Sequence, residues 1–486
     1  MTIDTQKFQK CRILVIGDLM IDEYLWGNVE RISPEAPVQV VSVARDTMML
    51  GGAGNVVNNL VELGAHVAAA GVIGAGANGD TLLNMLKDKH VNIAGLIQDS
   101  NRATTRKTRV IGGHQHVLRI DRETNKEISE DHVDRLVEFA RKHVHDYHLV
   151  LLSDYGKGIF PRSLLRRLID VANEAQKAVI VDPKGLNFDK YAGATAMTPN
   201  KREASLAAGI EIVDHNSLVS VGEKLLHETP VKALLMTCGT EGMVLFEQGK
   251  KPFRIRAEAR QVFDVSGAGD TVVSVLGLGL ASGGSFKEAA ELANVAAGIV
   301  VGKVGTATVS REELQRASEP AGAALAAKQK TLADLTAIVE RLRAEGKTIV
   351  MTNGCFDVLH TGHIKLLSAS KKMGEVLIVA IDDDESVRIL KGNDRPVIRA
   401  KERLQIISAL DAVDYVTLFS TRALEDVIEA IRPDVLTKGT NYTNESVLGR
   451  EMVESAGGRI ELIPITEAVS SSRIIDRIKQ GNSESK

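Results

Sequence analysis

The sequence has few of the features that mark several common classes of protein. Its three cysteines, Cys11, Cys238 and Cys355, lie far apart in a chain of 486 residues, which excludes a disulfide framework and a CxxC metal site. No apolar run is long enough for a membrane span, and the polar N-terminus lacks a signal-peptide core. The net charge of −3 gives no sign of a nucleic-acid or membrane-surface partner. We therefore expect a reducing, cytoplasmic location.

Two further features concern the fold and the use of nucleotides. Aromatic residues make up only 3% of the chain, whereas glycine occurs 42 times, a composition that suits an α/β fold with many tight turns. No Walker A sequence (GxxxxGK[ST]) is present, so any use of ATP must depend on another kind of site. The chain is too long for one ordinary core, and two or three domains are expected.

The most informative stretch is DVSGAGDT at residues 264–271, which precedes a long apolar run typical of a buried helix. The small residues Gly267, Ala268 and Gly269 let the backbone approach a ligand, and unpaired N–H groups at a helix start favour an anion. Asp270 falls in the first helical turn, where a carboxylate can take a proton from an attacking hydroxyl. A helix start capped by Asp270, without any ligand, fits the same eight residues.

From Arg12 onward, apolar strands alternate with amphipathic helices, a pattern that predicts parallel βαβ units. Ligands collect at the carboxyl ends of the strands in such sheets. The polar residues expected there are Asp18 and Asp22 after the first strand, Asp154 after residues 148–153, and Asp182 and Lys184 after residues 178–181.

A helix is predicted to begin at Asn200-Lys201-Arg202-Glu203. Asn200 can cap this helix, and Glu203 three residues later completes a capping box. Alternatively, Asn200 and Glu203 hold a network of Mg²⁺-bound water beside a triphosphate. The spacing alone leaves both readings open.

Residues 104–110 and 115–120 read as a hairpin joined by two glycines. A hairpin within a parallel α/β pattern usually lies off the main sheet, where it can act as a lid. Lys107 and Arg109 share one face of it, so they either meet a phosphate of the substrate or belong to a solvated edge strand.

Residues 74–79 match GxGxxG, and Asp99 follows about twenty residues later, so a dinucleotide site was considered. This is not the first strand-to-helix turn of the chain, and the strand after it is short. We therefore interpret these residues as loop glycines.

Residues 319–330 contain five alanines, a glycine and a proline and look like a linker. A second α/β pattern follows, with His360, Gly362 and His363 where a loop turns into a helix. Two imidazoles at a helix start can donate hydrogen bonds to phosphate oxygens. The spacing is not HExxH, and no cysteine or carboxylate completes a zinc set.

Other polar residues of the second half also suit a triphosphate. Lys391, Arg395 and Arg403 form a basic set, although a solvated helix face would look the same. Ser470-Ser471-Ser472-Arg473 is predicted to start the last helix.

At this point each half resembles a known family. Residues from about 10 to 318 resemble the ribokinase-like (PfkB-type) sugar kinases, through the glycine-rich segments 51–64 and 264–271. The resemblance implies that Asp270 is the general base and that Gly267, Ala268 and Gly269 form the anion hole. It further implies that Asp18, Asp22, Gly52 and Asn55 hold sugar hydroxyls, and that Thr237, Gly239 and Asn294 lie along the nucleotide. Asn200 and Glu203 match the metal motif of the family, in which Glu203 would hold Mg²⁺ through water. From their positions in the chain, we add Lys107, Arg109 and Asp154 as expected sugar contacts and Lys201 and Arg202 as expected contacts to ATP.

Residues from about 345 to 480 resemble the nucleotidyltransferases that carry HxGH. The implied chemistry is attack of a substrate phosphate on the α-phosphate of a nucleoside triphosphate, with His360 and His363 stabilising the transition state. The nucleotide contacts implied by this resemblance are Gly354, Phe356, Asp357, Arg395, Arg403, Ser471 and Ser472, and Lys391 is added to them from the basic set. One departure is Asn441, where the family pattern leads us to expect an aspartate.

The order of the two halves resembles the bifunctional heptose enzymes of lipopolysaccharide-core synthesis. This implies ATP-dependent phosphorylation of heptose 7-phosphate at O1, followed, after another enzyme removes the 7-phosphate, by adenylyl transfer to heptose 1-phosphate. Mg²⁺ with ATP is the implied cofactor, with a monovalent cation left open, and a homodimer through the lid hairpin is the implied assembly. Another sugar, CTP in place of ATP, and a silent nucleotide-sensing C-terminal domain are the alternatives.

The expected fold is therefore α/β throughout. A ribokinase-like three-layer domain with a small β lid occupies residues 1–318. A linker and leading helix occupy residues 319–343, and a Rossmann-like HxGH nucleotidyltransferase domain occupies residues 344–486.

Overall fold

The computed structural model describes residues 3–113, 115–257, 265–303, 307–318, 321–420, 423–440, 447–464 and 475. The chain divides into two compact units, residues 1–318 and 319–486. Within the described residues, no helix combines the length and the apolar character needed to cross a bilayer.

The strands of the first unit are β1 (Arg12–Gly17), β2 (Leu19–Ile32), β3 (Gln39–Gly52), β4 (His66–Gly74), β5 (Asn92–Asp99), β6 (Thr105–Gly112), β7 (Gln115–Arg122), β8 (Leu149–Ser153), β9 (Ala178–Asp182), β10 (Ala196–Met197), β11 (Ala233–Thr237), β12 (Met243–Glu247) and β13 (Phe253–Ile255). Its helices are α1 (Ala53–Glu62), α2 (Ala77–Asp88), α3 (Glu130–His143), α4 (Arg162–Glu174), α5 (Lys201–Ala208), α6 (His215–Glu228), α7 (Ala268–Ala281), α8 (Phe286–Val300) and α9 (Arg311–Ser318).

The main sheet of this unit has the strand order β13-β12-β11-β10-β9-β8-β1-β4-β5. It is parallel except at β12 and β13. The alternation of side chains along β1 explains the layers, because Ile13 and Val15 pack with α1, α7 and α8, whereas Leu14 and Ile16 pack with α3 and α4 on the other face. The predicted three-layer fold is thus confirmed.

A second sheet of this unit, which we call the lid sheet, has the order β3-β2-β6-β7. The predicted hairpin is present as β6 and β7. Beside it lies a long hairpin of β2 and β3 that was not predicted, whose strands each span 14 residues. The register places Asp22 opposite Lys107 and Tyr24 opposite Arg109, so Lys107 and Arg109 share a face as predicted.

The second unit contains β14 (Ile349–Gly354), β15 (Val376–Asp382), β16 (Tyr415–Phe419), β17 (Val435–Gly439) and β18 (Arg459–Ile463). Its helices are α10 (Ala321–Lys328), α11 (Leu332–Ala344), α12 (Thr361–Lys371), α13 (Asp384–Lys391), α14 (Ala400–Ser408), α15 (Leu424–Ile431) and α16 (Arg450–Ser455). The alanine-rich stretch that was expected to be a linker contains the helix α10.

The five strands of this unit form a parallel sheet in the order β16-β15-β14-β17-β18. Buried side chains of α11, α15 and α16 cover one face, and those of α12 and α14 cover the other. The strand order reverses at β14, and a crevice for ligands is expected where the carboxyl ends of β14 and β17 meet. This is the predicted Rossmann-like arrangement.

Candidate active site

The candidate site of the first unit is a cavity of about 220 Å³ at the carboxyl ends of β8, β9 and β11. Its walls include the start of α7 and the start of α5. The residues that line it are Asp154, Tyr155, Asp182, Pro183, Lys184, Thr198, Asn200, Glu203, Thr237, Gly267, Gly269 and Asp270.

The start of α7 brings Asp270 into this cavity. Gly267 caps the helix with φ +79°, a left-handed conformation that favours glycine. A side chain at Gly269 would point into open space, so the backbone there is accessible to a ligand. This geometry is compatible with an anion at the first turn of α7, and the anion hole itself stays a prediction. Asp264 lies outside the described residues.

Asp270 is buried and held at both carboxylate oxygens. The hydroxyl of Tyr155 donates to Oδ1 at 2.5 Å, and the amide of Asn55 donates to Oδ2 at 2.7 Å. Burial raises the pKa of Asp270 to about 6, and these two hydrogen bonds oppose the shift. A carboxyl group with such a pKa is ionised near neutral pH and can still accept a proton.

The sugar-side residues lie around the start of α1. A side chain at Gly51 would come within 2.5 Å of Asp22 Oδ2, and Gly52 has φ +55°, so both glycines are needed for this close approach. Asp22 forms an ion pair with Arg109. The Nζ atom of Lys107 lies 5.8 Å from the ring centre of Tyr155, and the Lys107 side chain forms no hydrogen bond or ion pair with any described residue.

Two predicted sugar contacts are engaged with the protein itself. Asp154 accepts hydrogen bonds from Lys190 Nζ, the Tyr191 hydroxyl and the Gly156 N–H, so its carboxylate holds the turn after β8. Asp18 accepts the N–H groups of Tyr155 and Lys157 through Oδ2, whereas its buried Oδ1 has no hydrogen-bond partner among the described residues. Burial raises the pKa of Asp18 to about 6.

The start of α5 is capped as predicted. Asn200 and Glu203 form the capping box in both directions, which confirms that prediction. Both also line the cavity, and Glu203 Oε1 accepts a 2.7 Å hydrogen bond from Lys184. Capping therefore does not exclude a role beside the nucleotide. Lys201 is paired with Glu241, and Arg202 is exposed.

Among the remaining predicted ATP contacts, Thr237 lines the cavity at the end of β11. Gly239 begins the short 3-10 turn that follows. Asn294 lies on α8, is 7% exposed and donates to the carbonyl of Arg256, so its amide is used in packing.

Tyr155 and Asp182 line this cavity but had no role among the expected site residues. Tyr155 directly follows Asp154, which the sequence did single out as a strand-end residue. Asp182 was noted only as a strand-end residue; burial raises its pKa well above the usual value, helped by the nearby charges of Asp270 and Glu203. Two acidic groups so close to the anion hole suit a site that also receives a cation.

Two of the three GxGxxG glycines lie in closely packed backbone. A side chain at Gly74 would approach the carbonyl of Arg102 to 2.3 Å, and one at Gly79 would approach the carbonyl of Gly74 to 2.0 Å. These glycines allow tight packing of the turn, in line with their interpretation as loop glycines.

In the second unit, His360 and His363 stand at the start of α12. His360 caps the helix, since its Nδ1 accepts the N–H of Gly362 at 3.1 Å. The two rings are stacked with centres 3.9 Å apart, and Phe356 lies 5.2 Å from His363. Burial and the neighbouring His360 lower the pKa of His363 to about 4, so it is neutral at pH 7.

The loop after β14 is held by a carboxylate. Phe356, which directly follows Gly354 and Cys355, has φ +47°, a strained value that is common at functional turns. Asp357 accepts hydrogen bonds from Arg395 Nε at 2.5 Å and from the N–H groups of Val397 and Ile398. Asp357 and Arg395 therefore order the loop around the histidines.

Arg403 corrects an expectation. Its side chain has no exposed surface and donates to the carbonyls of Ile398, Cys355 and Asp382 and to the carboxylate of Asp384. Because its donors are used in this way, Arg403 holds the surrounding loops together and is not available to bind a triphosphate. Lys391, by contrast, is exposed. Ser470, Ser471, Ser472, Arg473 and Asn441 lie outside the described residues.

Comparisons with known proteins agree with this division. Residues 10–314 match the pfkB family carbohydrate kinases, and residues 351–477 match the cytidylyltransferase-like family. A ribokinase from Arabidopsis thaliana, solved with ribose and ATP, has a TM-score of 0.52 and 21% identity over 63% of this chain and 98% of its own. Phosphofructokinase-2 from Escherichia coli, solved with potassium, has a TM-score of 0.53 and 20% identity over 63% and 97%. At this identity the likeness shows the fold.

Similarity over the whole chain is much stronger. The bifunctional protein HldE of Desulfatibacillum aliphaticivorans is 57% identical over 99% of this chain and 98% of its own, and that of Geobacter sulfurreducens is 47% identical over 97% and 96%. The chain therefore belongs to the bifunctional HldE family, in which a pfkB-type kinase domain and a cytidylyltransferase-like domain act as the heptose kinase and adenylyltransferase of ADP-heptose synthesis.

Proposed function

We propose that Asp270 is the general base of a kinase that phosphorylates heptose 7-phosphate at O1. The observation that carries this proposal is the position of its buried carboxylate, in the first turn of α7 and on the wall of the cavity. Asp270 takes the proton of the sugar hydroxyl, the sugar oxygen forms a bond to the γ-phosphorus of ATP, and the bond from that phosphorus to ADP breaks. N–H groups at the start of α7 stabilise the negative charge of the transferred group.

Lys107 is the cation that meets the 7-phosphate of the sugar. It is half-buried on the face of the lid sheet that carries Asp22, and burial lowers its pKa. A phosphate beside it would favour the charged form and so oppose this shift. Arg109 has a different task, since its pairing with Asp22 keeps that carboxylate ordered for a sugar hydroxyl.

Mg²⁺ enters this site with ATP. No group of three or more metal-binding side chains occurs among the described residues, which suits an ion that keeps most of its waters and binds chiefly to the triphosphate. The donors that fit are the carboxylate of Glu203, acting through water, and the side-chain oxygen of Asn200. When bound, the ion neutralises charge on the phosphates, while the protein positions the two reactants.

The second domain transfers an adenylyl group to heptose 1-phosphate. The sugar phosphate oxygen attacks the α-phosphorus of ATP, and pyrophosphate leaves. His360 and His363 stabilise the transition state as hydrogen-bond donors, and Lys391 contacts the triphosphate. The neutral state of His363 agrees with donation of a hydrogen bond rather than with nucleophilic attack.

The protein works in the cytoplasm as a homodimer that forms through the lid sheet. Its register places Met48, Leu118 and Ile120 on the face opposite Lys107, and these side chains are 38%, 54% and 41% exposed. A second copy would cover them. Both substrates of each step are small molecules, ATP and a heptose phosphate.

Mass spectrometry of the products tests the whole proposal. The protein is incubated with Mg-ATP and heptose 7-phosphate in one tube, and a phosphatase for the 7-position is added in a second. We expect the 1,7-bisphosphate in the first tube and ADP-heptose in the second. Bisphosphate without ADP-heptose would indicate a silent nucleotide-sensing domain, and no bisphosphate from protein that binds ATP would exclude heptose.

A further inference from the structure

Tyr155 makes the shortest contact to the proposed base. It is the second residue after β8, and its hydroxyl lies 2.5 Å from Oδ1 of Asp270, which is 115 residues further along the chain. Burial and the charge of Asp270 raise the pKa of Tyr155, so the hydroxyl keeps its proton and acts as the donor. The roles assigned above leave this contact without a function.

The backbone of Tyr155 is fixed independently of its side chain. Its N–H donates to Oδ2 of Asp18 at 2.7 Å, and the N–H of Lys157 donates to the same oxygen. The turn after β8 is therefore anchored to the end of β1. A side chain on such an anchored turn can hold a partner in one place.

Charged and titratable groups reach Asp270 from every element around it. Asn55 of α1 donates to Oδ2, Asp22 of β2 raises the pKa of Asp270, and Lys107 of β6 lowers it. Asp182 at the end of β9 also lies close enough for its charge to couple with that of Asp270. Tyr155 is the contact that reaches Oδ1.

We propose that Tyr155 is a positioning residue of the kinase. Its hydroxyl orients the carboxylate of Asp270 towards the sugar, and its ring contacts Lys107 of the lid sheet. This inference rests on the proposed role of Asp270 as the base. With Tyr155 on Oδ1 and Asn55 on Oδ2, rotation of the carboxylate would break two hydrogen bonds. One lone pair on each oxygen remains for the sugar hydroxyl.

The ring of Tyr155 links the base to the substrate phosphate. Lys107 lies over this ring at 5.8 Å, a distance at which a cation is attracted to the aromatic face. If Lys107 binds the phosphate of the sugar, one side chain then contacts the group that recognises the substrate and the group that activates it. Substrate recognition and the geometry of the base are thereby coupled through Tyr155.

The test compares Tyr155→Phe with Tyr147→Phe. Tyr147 is a buried tyrosine before the start of β8, with a hydrogen bond of its own to Asn92, so it loses the same hydroxyl from the opposite end of the same strand. For Tyr155→Phe we expect kcat of the kinase to fall roughly 10-fold, with KM for ATP within about twofold of wild type. Adenylyl transfer by the same chain reports on folding.

The pH profile separates positioning from a merely structural role. A hydrogen bond to the charged carboxylate favours ionisation, so its loss raises the pKa of Asp270. We expect the acid limb of kcat/KM in Tyr155→Phe to move up by about one pH unit, and that of Tyr147→Phe to stay in place. 3-Fluorotyrosine at position 155, a stronger donor of nearly the same shape, should move the limb to lower pH.

Asp270→Asn separates the role of Asp270 as the base from the role of Tyr155 as a positioning residue. Loss of kinase activity in Asp270→Asn, together with the shifted limb in Tyr155→Phe, supports both. Kinase activity that survives in Asp270→Asn would overturn the role of the base. An inactive Asp270→Asn beside a Tyr155→Phe enzyme with unchanged kcat and an unmoved limb would overturn the positioning role alone. If Tyr155→Phe does not fold, the fluorotyrosine protein decides, since an unmoved limb there also overturns it.

Discussion

The amide of Asn55 donates a 2.7 Å hydrogen bond to Oδ2 of Asp270, although the two residues lie 215 positions apart in the sequence. Asn55 belongs to the first glycine-rich segment and Asp270 to the second. Four residues further along α1, Asn59 accepts a 2.9 Å hydrogen bond from the Thr271 hydroxyl. Buried hydrogen bonds thus join α1 to the start of α7, where Asp270 lines the cavity.

We predict that Asn55→Ala lowers kcat of the kinase by roughly 10- to 100-fold, because one oxygen of the base loses its donor and the carboxylate is free to rotate. Initial-rate kinetics at saturating ATP measures this effect. Asn58→Ala is the matched control, since Asn58 lies on the same helix and its side-chain oxygen has no hydrogen-bond partner among the described residues. Equal rates in the two variants would contradict the prediction.

Lys107→Ala should raise KM for the sugar phosphate at least about 10-fold, because a phosphate loses a charged partner in a partly buried site. KM for ATP should change little. Arg119→Ala provides the comparison, since this cation of β7 is 54% exposed and pairs with Asp121. The assignment fails if the double variant Lys107→Ala/Arg109→Ala binds the sugar phosphate with an unchanged KM.

His363→Ala should reduce adenylyl transfer by roughly 10²- to 10³-fold and leave the kinase at its wild-type rate. The expected loss follows from removing a hydrogen-bond donor beside the α-phosphate. Pyrophosphate release and ADP formation from one preparation measure the two activities. Parallel loss of both would point to misfolding instead.

Arg403→Lys should destabilise the second unit by about 2–4 kcal/mol, since lysine cannot replace the guanidinium donors and a buried acceptor set is left unsatisfied. Urea denaturation is monitored once through the loss of adenylyl transfer and once through the loss of kinase activity. The comparison assigns the loss of stability to one unit. Lys401→Ala, on the exposed side of α14, should stay within about 0.5 kcal/mol of wild type. A similar stability for Arg403→Lys and wild type would refute the buried support role.

The low pKa of His363 predicts a pH dependence of stability. The folded state binds its proton only near pH 4, whereas the unfolded histidine does so near pH 6.5. Between these values the unfolded state holds more protons, so the free energy of unfolding decreases as the pH falls from 6.5 towards 4. His363→Asn should flatten this slope, as measured by urea titrations at several pH values; an unchanged slope would show that His363 is not responsible.

Much of the fold could be predicted because the pattern is local. The strand at Arg12–Gly17, the helix at Leu332–Ala344 and the capping box at Asn200 were all recognisable from periodicity and end signals. Strands β2 and β3 were missed because β2 carries Asp22 and Glu23, which look unsuited to a buried strand. Their burial depends on Arg109 and Arg106, which are 87 and 83 residues away.

The partners of buried arginines in the second unit could not be predicted from the sequence either. Arg403 looked like a phosphate ligand, since a basic residue near a nucleotide motif is normally solvated or bound to a phosphate. Its actual partners are Asp384 and a set of backbone carbonyls. Arg395 donates to Asp357 through Nε. No spacing rule predicts such contacts, because they depend on where the loops after β14 and β15 meet.

The sequence alone determined the fold class of both units, the segment that carries Asp270 and the pair His360 and His363, since each follows from periodicity, small residues at a turn or a short motif. The tertiary structure decided which polar groups meet. It brought Tyr155 and Asn55 to the two oxygens of Asp270, and it turned Arg403 inward to support the loop. The physical reason is that hydrogen bonding and burial depend on distances between distant parts of the chain, which local patterns do not specify.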